Sequence, residues 1–234
     1  MSNDSEVSDK HAANRLKIVV ARYNESVAWT RSFPNVVVYN KGEPLPVEDH
    51  YTEIRLDNVG REGHTYYQHI YDNYDNLDDY TAFLQGNPFD HIDNFTDVLW
   101  SCVRSVERGD WTHDFKYFSD ERVRYHLLYG CSFHPGLPLV DVYKQLFLSP
   151  ELAASVQPRR PFSRHHLPEH VCNFDKIFSF GPGAQFVVSK ARILSRPRSF
   201  YRKIVDMLGK SVRPEEGYVI ERFHPLILGD SQLP

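Results

Sequence analysis

A chain of 234 residues with 41% hydrophobic and 25% charged residues has the make-up of a globular protein with a sizeable core. Its formal net charge of −4 argues against a broad electrostatic grip on nucleic acid or an anionic bilayer. No apolar run approaches the roughly 18 residues of a membrane span, and the polar, acidic opening MSNDSEVSDKHAAN has no hydrophobic stretch of a secretory signal. The cysteines, Cys102, Cys131 and Cys172, stand far apart with no zinc or redox spacing, so free thiols in a reducing, cytoplasmic setting are expected. The organisation expected is a disordered lead-in over 1–15, one α/β domain over 16–228, and a short tail over 229–234.

Lys17 to Ala21 and Asn35 to Tyr39 are short, β-branched runs bounded by turn formers, and they predict two buried strands. Glu25 to Ser32 between them has room for a short helix. From Arg61 to Tyr74, the bodies of Tyr66, Tyr67, Ile70, Tyr71 and Tyr74 recur at helical spacing. Tyr80 to Leu84 predicts a third strand. Asn94 then stands as the cap of a helix whose apolar face is Phe95, Val98, Leu99, Cys102, Val103 and Val106. This alternation of strand and helix predicts a mostly parallel sheet flanked by helices. Further on, Leu139, Val142, Tyr143, Leu146 and Phe147 form a helical face, and Ala184 to Val188 a strand. Ser195 and Pro197 open a helix with Phe200, Tyr201, Ile204, Val205 and Leu208 turned inward. Pro158 to Pro168 is a basic, proline-rich loop.

Ligands of open α/β sheets bind beyond the carboxyl ends of the parallel strands. Those ends carry clusters of polar groups at Arg22 to Glu25, Asn40 to Gly42 and Gln85 to Asp90. The sequon Asn94-Phe95-Thr96, with no secretory signal before it, is better explained as a helix cap. Most of the 14 tyrosines and 15 phenylalanines fall at helical spacing and belong to the core, although such rings also stack on sugars and bases.

The segments IVVARYNES, VVVYNKG, NVGREGHTYYQHI and YTAFLQGNPFDH occur in the order found in nucleotide-sugar glycosyltransferases of the GT-A fold, and the chain resembles that group. Together with GAQFVVSKARILSRPRSFY, they more closely resemble a largely uncharacterised domain family of fungi and of viruses of algae. The resemblance covers about residues 17–228. It implies a GT-A-like, Rossmann-like domain that moves a sugar from a nucleoside diphosphate donor, UDP-linked by preference, to a carbohydrate or glycan acceptor. Arg22, Tyr23, Asn24, Glu25, Asn40, Gly60, Arg61, Gln85 and Asn87 are then the nucleotide-sugar residues.

At the metal-binding Asp-x-Asp of the fold, this chain has Gln85 and Asn87, two neutral amides. A divalent ion prefers carboxylate oxygen, so Mn²⁺ or Mg²⁺ is expected on Asp90 with His91 or Asp93 beside it, or the site is metal-independent. In the second case, cations must stabilise the leaving diphosphate. Arg22 and Arg61 are candidates, as are Arg159, Arg160, Arg164, His165 and His166 of the basic loop. Zinc on His165, His166 and His170 has no supporting motif.

An inverting transfer also needs a carboxylate base. The segment RPEEGYVIERFHPLI resembles the Pro-acid-Glu segment of some metal-independent members and nominates Glu216. Glu221 is the rival, because an unpaired charge amid the apolar run from Tyr218 to Leu228 would be costly. Two other functions fit the same residues: a catalytically silent nucleotide-sugar-binding module, and a nucleotide-sugar hydrolase.

Overall fold

Apolar strands with helices on both sides organise the chain, and a computed structural model describes residues 15–130, 134–155, 174 and 176–229. Strand β1 (Leu16–Arg22) is followed by a 3₁₀ turn over Ala28–Ser32, then β2 (Val36–Asn40) and β3 (Tyr51–Arg55). Helix α1 (Arg61–Asp72), β4 (Tyr80–Gln85), a second 3₁₀ turn over Pro88–Asp90 and α2 (Phe95–Arg108) come next. Two short strands, β5 (Phe115–Tyr117) and β6 (Val123–His126), precede α3 (Leu139–Phe147) and α4 (Pro150–Ser155). The chain closes with β7 (Ile177–Phe180), β8 (Phe186–Ser189), α5 (Lys190–Leu194), α6 (Arg198–Leu208) and α7 (Glu215–Leu228).

The main sheet has six strands in the order β3-β2-β1-β4-β8-β5. The first four are parallel, with Val19 opposite both Val37 and Phe83. β8 runs antiparallel to β4, with Phe83 opposite Phe186, and β5 runs antiparallel to β8. β6 and β7 form a separate antiparallel pair. The sheet is thus mixed, mostly parallel and flanked by helices.

Because side chains alternate across a strand, the unbroken apolar runs feed two cores. Val19, Val37, Tyr39, Phe83 and Phe186 face α1, α6 and α7, whose Tyr66, Tyr67, Tyr201, Ile204, Val219 and Phe223 complete that side. Ile18, Val20, Val38, Ala82 and Leu84 face α2 through Phe95, Leu99, Cys102 and Val106. Each fully buried Phe, Leu or Val contributes about 1.5–3 kcal/mol of transfer free energy.

Several sequence expectations need correction. The alternation of strand and helix is broken, because β2 reaches β3 with no helix between them; the short helix expected over Glu25 to Ser32 is a 3₁₀ helix over Ala28–Ser32. The strand expected over Ala184 to Val188 lies at Phe186–Ser189 and is antiparallel. Asn94 occupies the cap position of α2, but its side chain makes no capping bond; its backbone carbonyl accepts from the N–H of Asp97 and Val98 instead. Arg15, assigned to the lead-in, is held by Asp79 at 2.7 Å and by the carbonyl of Val106 at 3.2 Å. Cys102 is a buried free thiol, while Cys131 and Cys172 lie outside the described residues. Among the described residues, no helix is long and apolar enough to cross a membrane.

Candidate functional site

Strand order reverses between β1 and β4, the place where open α/β sheets take their ligands. A cavity of about 540 Å³ opens there, beyond the carboxyl ends of both strands. Arg22, Tyr23 and Glu25 reach it from the end of β1, and Gln85, Asn87 and Asp90 from the end of β4. Arg61 enters from the first turn of α1. Residues separated in sequence, and singled out there as a nucleotide-sugar set, therefore share one hollow.

Other expected residues build the walls instead. Asn40 is fully buried; its Oδ1 accepts from Arg22 at 2.6 Å and from the N–H of Gly42 at 3.0 Å, while its amide donates to Glu43 and Glu53. Arg22 also donates to the carbonyls of Glu25 and Glu43, so its guanidinium ties the β1 and β2 ends together rather than lying open to a phosphate. Asn24 lies outside the cavity lining, and its Oδ1 accepts from the N–H of Glu43 at 2.9 Å. Gly60 precedes α1 at φ 61°, a conformation that favours glycine, and an added Cβ would lie 2.7 Å from the carbonyl oxygen of Leu208. Gly60 therefore serves the packing of α1 against α6. Tyr23 is half-exposed at the rim.

The basic loop with Arg159, Arg160, Arg164, His165 and His166, together with His170, lies outside the described residues.

The donors near the expected metal position do not make a self-sufficient site. Asp90 Oδ1 accepts from the Asn87 amide at 2.7 Å, and Glu25 Oε2 accepts from the N–H of Tyr23 at 2.7 Å. Among the described residues, no group of three His, Cys, Asp or Glu side chains could hold a metal ion. Two engaged carboxylates with neutral amides beside them do not by themselves complete the oxygen-rich shell that Mn²⁺ or Mg²⁺ prefers.

The two base candidates are now separable. Glu216 sits in the first turn of α7. Glu221, a turn and a half further on, is largely enclosed, and the backbone N–H of Gly183 favours its charged form. Burial first, then the charge of Glu62, push its carboxyl up to about 7, against the pull of Arg222 and Arg61. Arg222 is no simple partner for it, since its guanidinium lies over the Phe180 ring at 4.9 Å and donates to the carbonyl of Tyr218. Glu62 and Arg61 line the cavity and act electrostatically on Glu221, which is not itself a lining residue. A carboxyl titrating near neutrality is suited to proton transfer.

Glu62 and Arg213 were missed by sequence reasoning, and Lys41, inside the strand end marked from Asn40 to Gly42, was given no role of its own. Glu62 is the direct neighbour of Arg61, so the helix-start logic pointed one residue away from it. Arg213 lies on the connection from α6 to α7, which the Gly60 N–H holds by its bond to the carbonyl of Ser211 at 2.8 Å. Nothing local in the sequence announces that return.

Beside the main cavity is a second hollow of about 440 Å³ lined by Glu25, Ser26, Trp29, Asn87 and Phe89. Glu25 and Asn87 belong to both. The Trp29 indole is fixed by its bond to the carbonyl of Gly86 at 3.0 Å.

A family model described as a protein of unknown function, DUF3431, matches residues 18–233. Neither a curated protein nor a solved structure matches the chain.

Proposed function

The chain belongs to the DUF3431 family, whose description assigns no chemistry, and we propose from the site itself that it is a GT-A-like glycosyltransferase using a nucleoside diphosphate sugar. The observation that carries this is the cavity at the reversal of strand order, where Arg22, Tyr23, Glu25, Arg61, Gln85 and Asn87 converge. The half-exposed Tyr23 ring at the rim suits a base or sugar face, and the amides of Gln85 and Asn87 suit sugar hydroxyls. The adjoining hollow, with Trp29 and Phe89 beside Glu25 and Asn87, offers an aromatic and polar lining for an acceptor ring.

In the proposed transfer, the acceptor oxygen attacks the anomeric carbon as the bond to the diphosphate oxygen breaks. The electron pair of that bond leaves with the diphosphate. Glu221 takes the acceptor proton, a role supported by its raised carboxyl pKa and by its electrostatic coupling to Glu62 and Arg61, which line the cavity. Bases of this kind contribute roughly 10²- to 10⁴-fold. No step is routed through a metal.

A panel of nucleotide sugars screened by thermal shift, followed by mass detection of a glycosylated acceptor, tests this function. Ligand binding to the native state raises apparent stability by about 2.7 kcal/mol at a hundredfold excess over Kd. UDP-sugars should shift the melt more than adenine or guanine nucleotides, and product should form only with acceptor present. Equal shifts for all nucleotides, or none, would count against a nucleotide-sugar site. Gln85 and Asn87, in place of carboxylates, favour a second reading: a silent nucleotide-sugar-binding module, which would give the shift without product. Release of free sugar at a rate indifferent to acceptor would mark a hydrolase.

A further inference from the structure

Lys41 lines the cavity from the end of β2. It is only 9% exposed, and its ammonium donates to the carbonyls of Val59 and Arg61, each at 2.6 Å. An ammonium has three protons, so two are used and one remains. Among the described residues, no carboxylate comes within ion-pair distance of it. Burial pushes it down to about 8, with Glu62 too weak a counterweight to restore it. A buried charge held by neutral carbonyls alone is costly, and an anion in the cavity it lines would offset that cost.

Besides Arg22, whose guanidinium is taken up by Asn40 and the carbonyls of Glu25 and Glu43, two further cations line the cavity. Arg61 projects from the first turn of α1, its guanidinium 4.5 Å from the Tyr218 ring centroid and 3.6 Å from Glu62. Arg213 is exposed and has no bond to any described residue. The acids that face them are already engaged in part: Glu25 accepts from Tyr23, Asp90 from Asn87, and Glu62 pairs with Arg61. Three separate segments, at the end of β2, the start of α1 and the loop before α7, thus aim cations into one hollow where the sheet and helix ends meet.

We propose that Lys41, Arg61 and Arg213 form a metal-independent clamp for a diphosphate group. Lysine supplies a fixed point charge at the base, and the arginine forks offer paired N–H donors to non-bridging oxygens. The clamp rests on the nucleotide-sugar reading only for the identity of the molecule that carries the diphosphate. The same chemistry would hold free pyrophosphate.

Calorimetric titration of the full chain with UDP and, separately, with inorganic pyrophosphate, both in chelator, tests the clamp. Both should bind at one site without divalent metal, more weakly at high salt, and Arg213→Gln should weaken each by about tenfold. Lys41→Gln should weaken both at least as much. Because Lys41 also holds two backbone carbonyls, its variant is judged only if it melts cooperatively; otherwise Arg213→Gln and Arg61→Gln decide. UDP binding far tighter than pyrophosphate identifies a nucleotide ligand, and equal affinities identify free diphosphate; both support the clamp. Binding that appears only after Mn²⁺ or Mg²⁺ is added, or that is unchanged in the variants, overturns it. A working clamp with no glycosyl transfer across the donor panel would overturn the transferase and leave the clamp standing. Transfer with pyrophosphate binding untouched by the variants would do the reverse.

Discussion

The Arg61 guanidinium lies 4.5 Å from the centroid of the Tyr218 ring, joining the first turn of α1 to the first turn of α7. That contact fixes the approach of two helices at the point where the carboxylates of Glu62 and Glu221 influence one another. A cation over an aromatic face contributes about 0.5–2 kcal/mol, depending on how far it is desolvated.

Replacing each base candidate by its amide separates them. Glu221→Gln should lower kcat by roughly 10²- to 10⁴-fold with nucleotide affinity nearly unchanged. Glu216→Gln should stay within a few-fold of the parent. Steady-state kinetics with the donor found by thermal shift provides the check, and the opposite ranking returns the role to Glu216.

Stability should carry the mark of Glu221 as well. Its carboxyl is raised from 4.5 to about 7 in the folded chain, so the native state binds more protons than the unfolded state between those values. The associated stabilisation is fully present below about 4.5 and lost as pH rises through 7. Its size is on the order of 1–3 kcal/mol, since one pKa unit corresponds to about 1.4 kcal/mol. Urea melts from pH 4.5 to 8 should show this slope in the parent and a flatter profile in Glu221→Gln.

The β1 and β2 ends meet at Gly42, where an added Cβ would overlap the carbonyl oxygen of Tyr23 and crowd Asn24 Oδ1. Gly42→Ala should therefore push the Tyr23 loop outward. Thermal denaturation should register a loss of about 1–3 kcal/mol, and nucleotide affinity should fall by more than that loss of stability explains. A variant with parent-like melting and binding would show that this loop yields freely.

Asn40→Ala removes a fully buried amide with four hydrogen-bonding partners and leaves the Arg22 guanidinium short of an acceptor. A buried donor left unmatched costs about 1–3 kcal/mol, more when it is charged. Chemical denaturation should report a loss of about 3 kcal/mol. Asn40→Asp, which keeps the Oδ1 acceptor and adds a charge near Arg22 but faces Glu43 and Glu53, should recover only part of it.

The strands and helices that were legible in the sequence are those whose burial is one-sided or complete. Val19, Val37 and Phe83 sit in unbroken apolar runs because both faces of their strands are covered. β3 was missed because Tyr51–Arg55 is an edge strand of partly exposed residues, which resembles a loop in composition. The direction of β8 was missed because strand polarity is set by how the chain returns, and the residues of Phe186–Ser189 do not encode it. At the strand ends, the rule marked Arg22, Tyr23, Glu25, Lys41, Gln85, Asn87 and Asp90, all of which line the cavity, since such hollows follow from sheet topology. It gave Arg22 and Asn40 to a ligand, although their bonds go to each other and to neighbouring backbone. Which side chain at a strand end faces outward depends on contacts with distant loops. Glu221 was singled out for a different reason, and its raised carboxyl fits that reason: a lone acid in an apolar stretch of helix is conspicuous wherever the helix packs.

The insertion of β8 between β4 and β5 has a consequence for biosynthesis. Until Phe186–Ser189 leaves the ribosome, the Thr81-Ala82-Phe83 edge of β4 has no partner on that side. About 100 residues at roughly 5–20 per second make that wait about 5–20 s. During it, a nascent chain with β1, β2 and β4 already emerged presents an apolar strand edge, the kind of surface that pairs with other chains. Chaperone dependence and co-translational aggregation should therefore be concentrated in truncated chains that end after β4 and before β8.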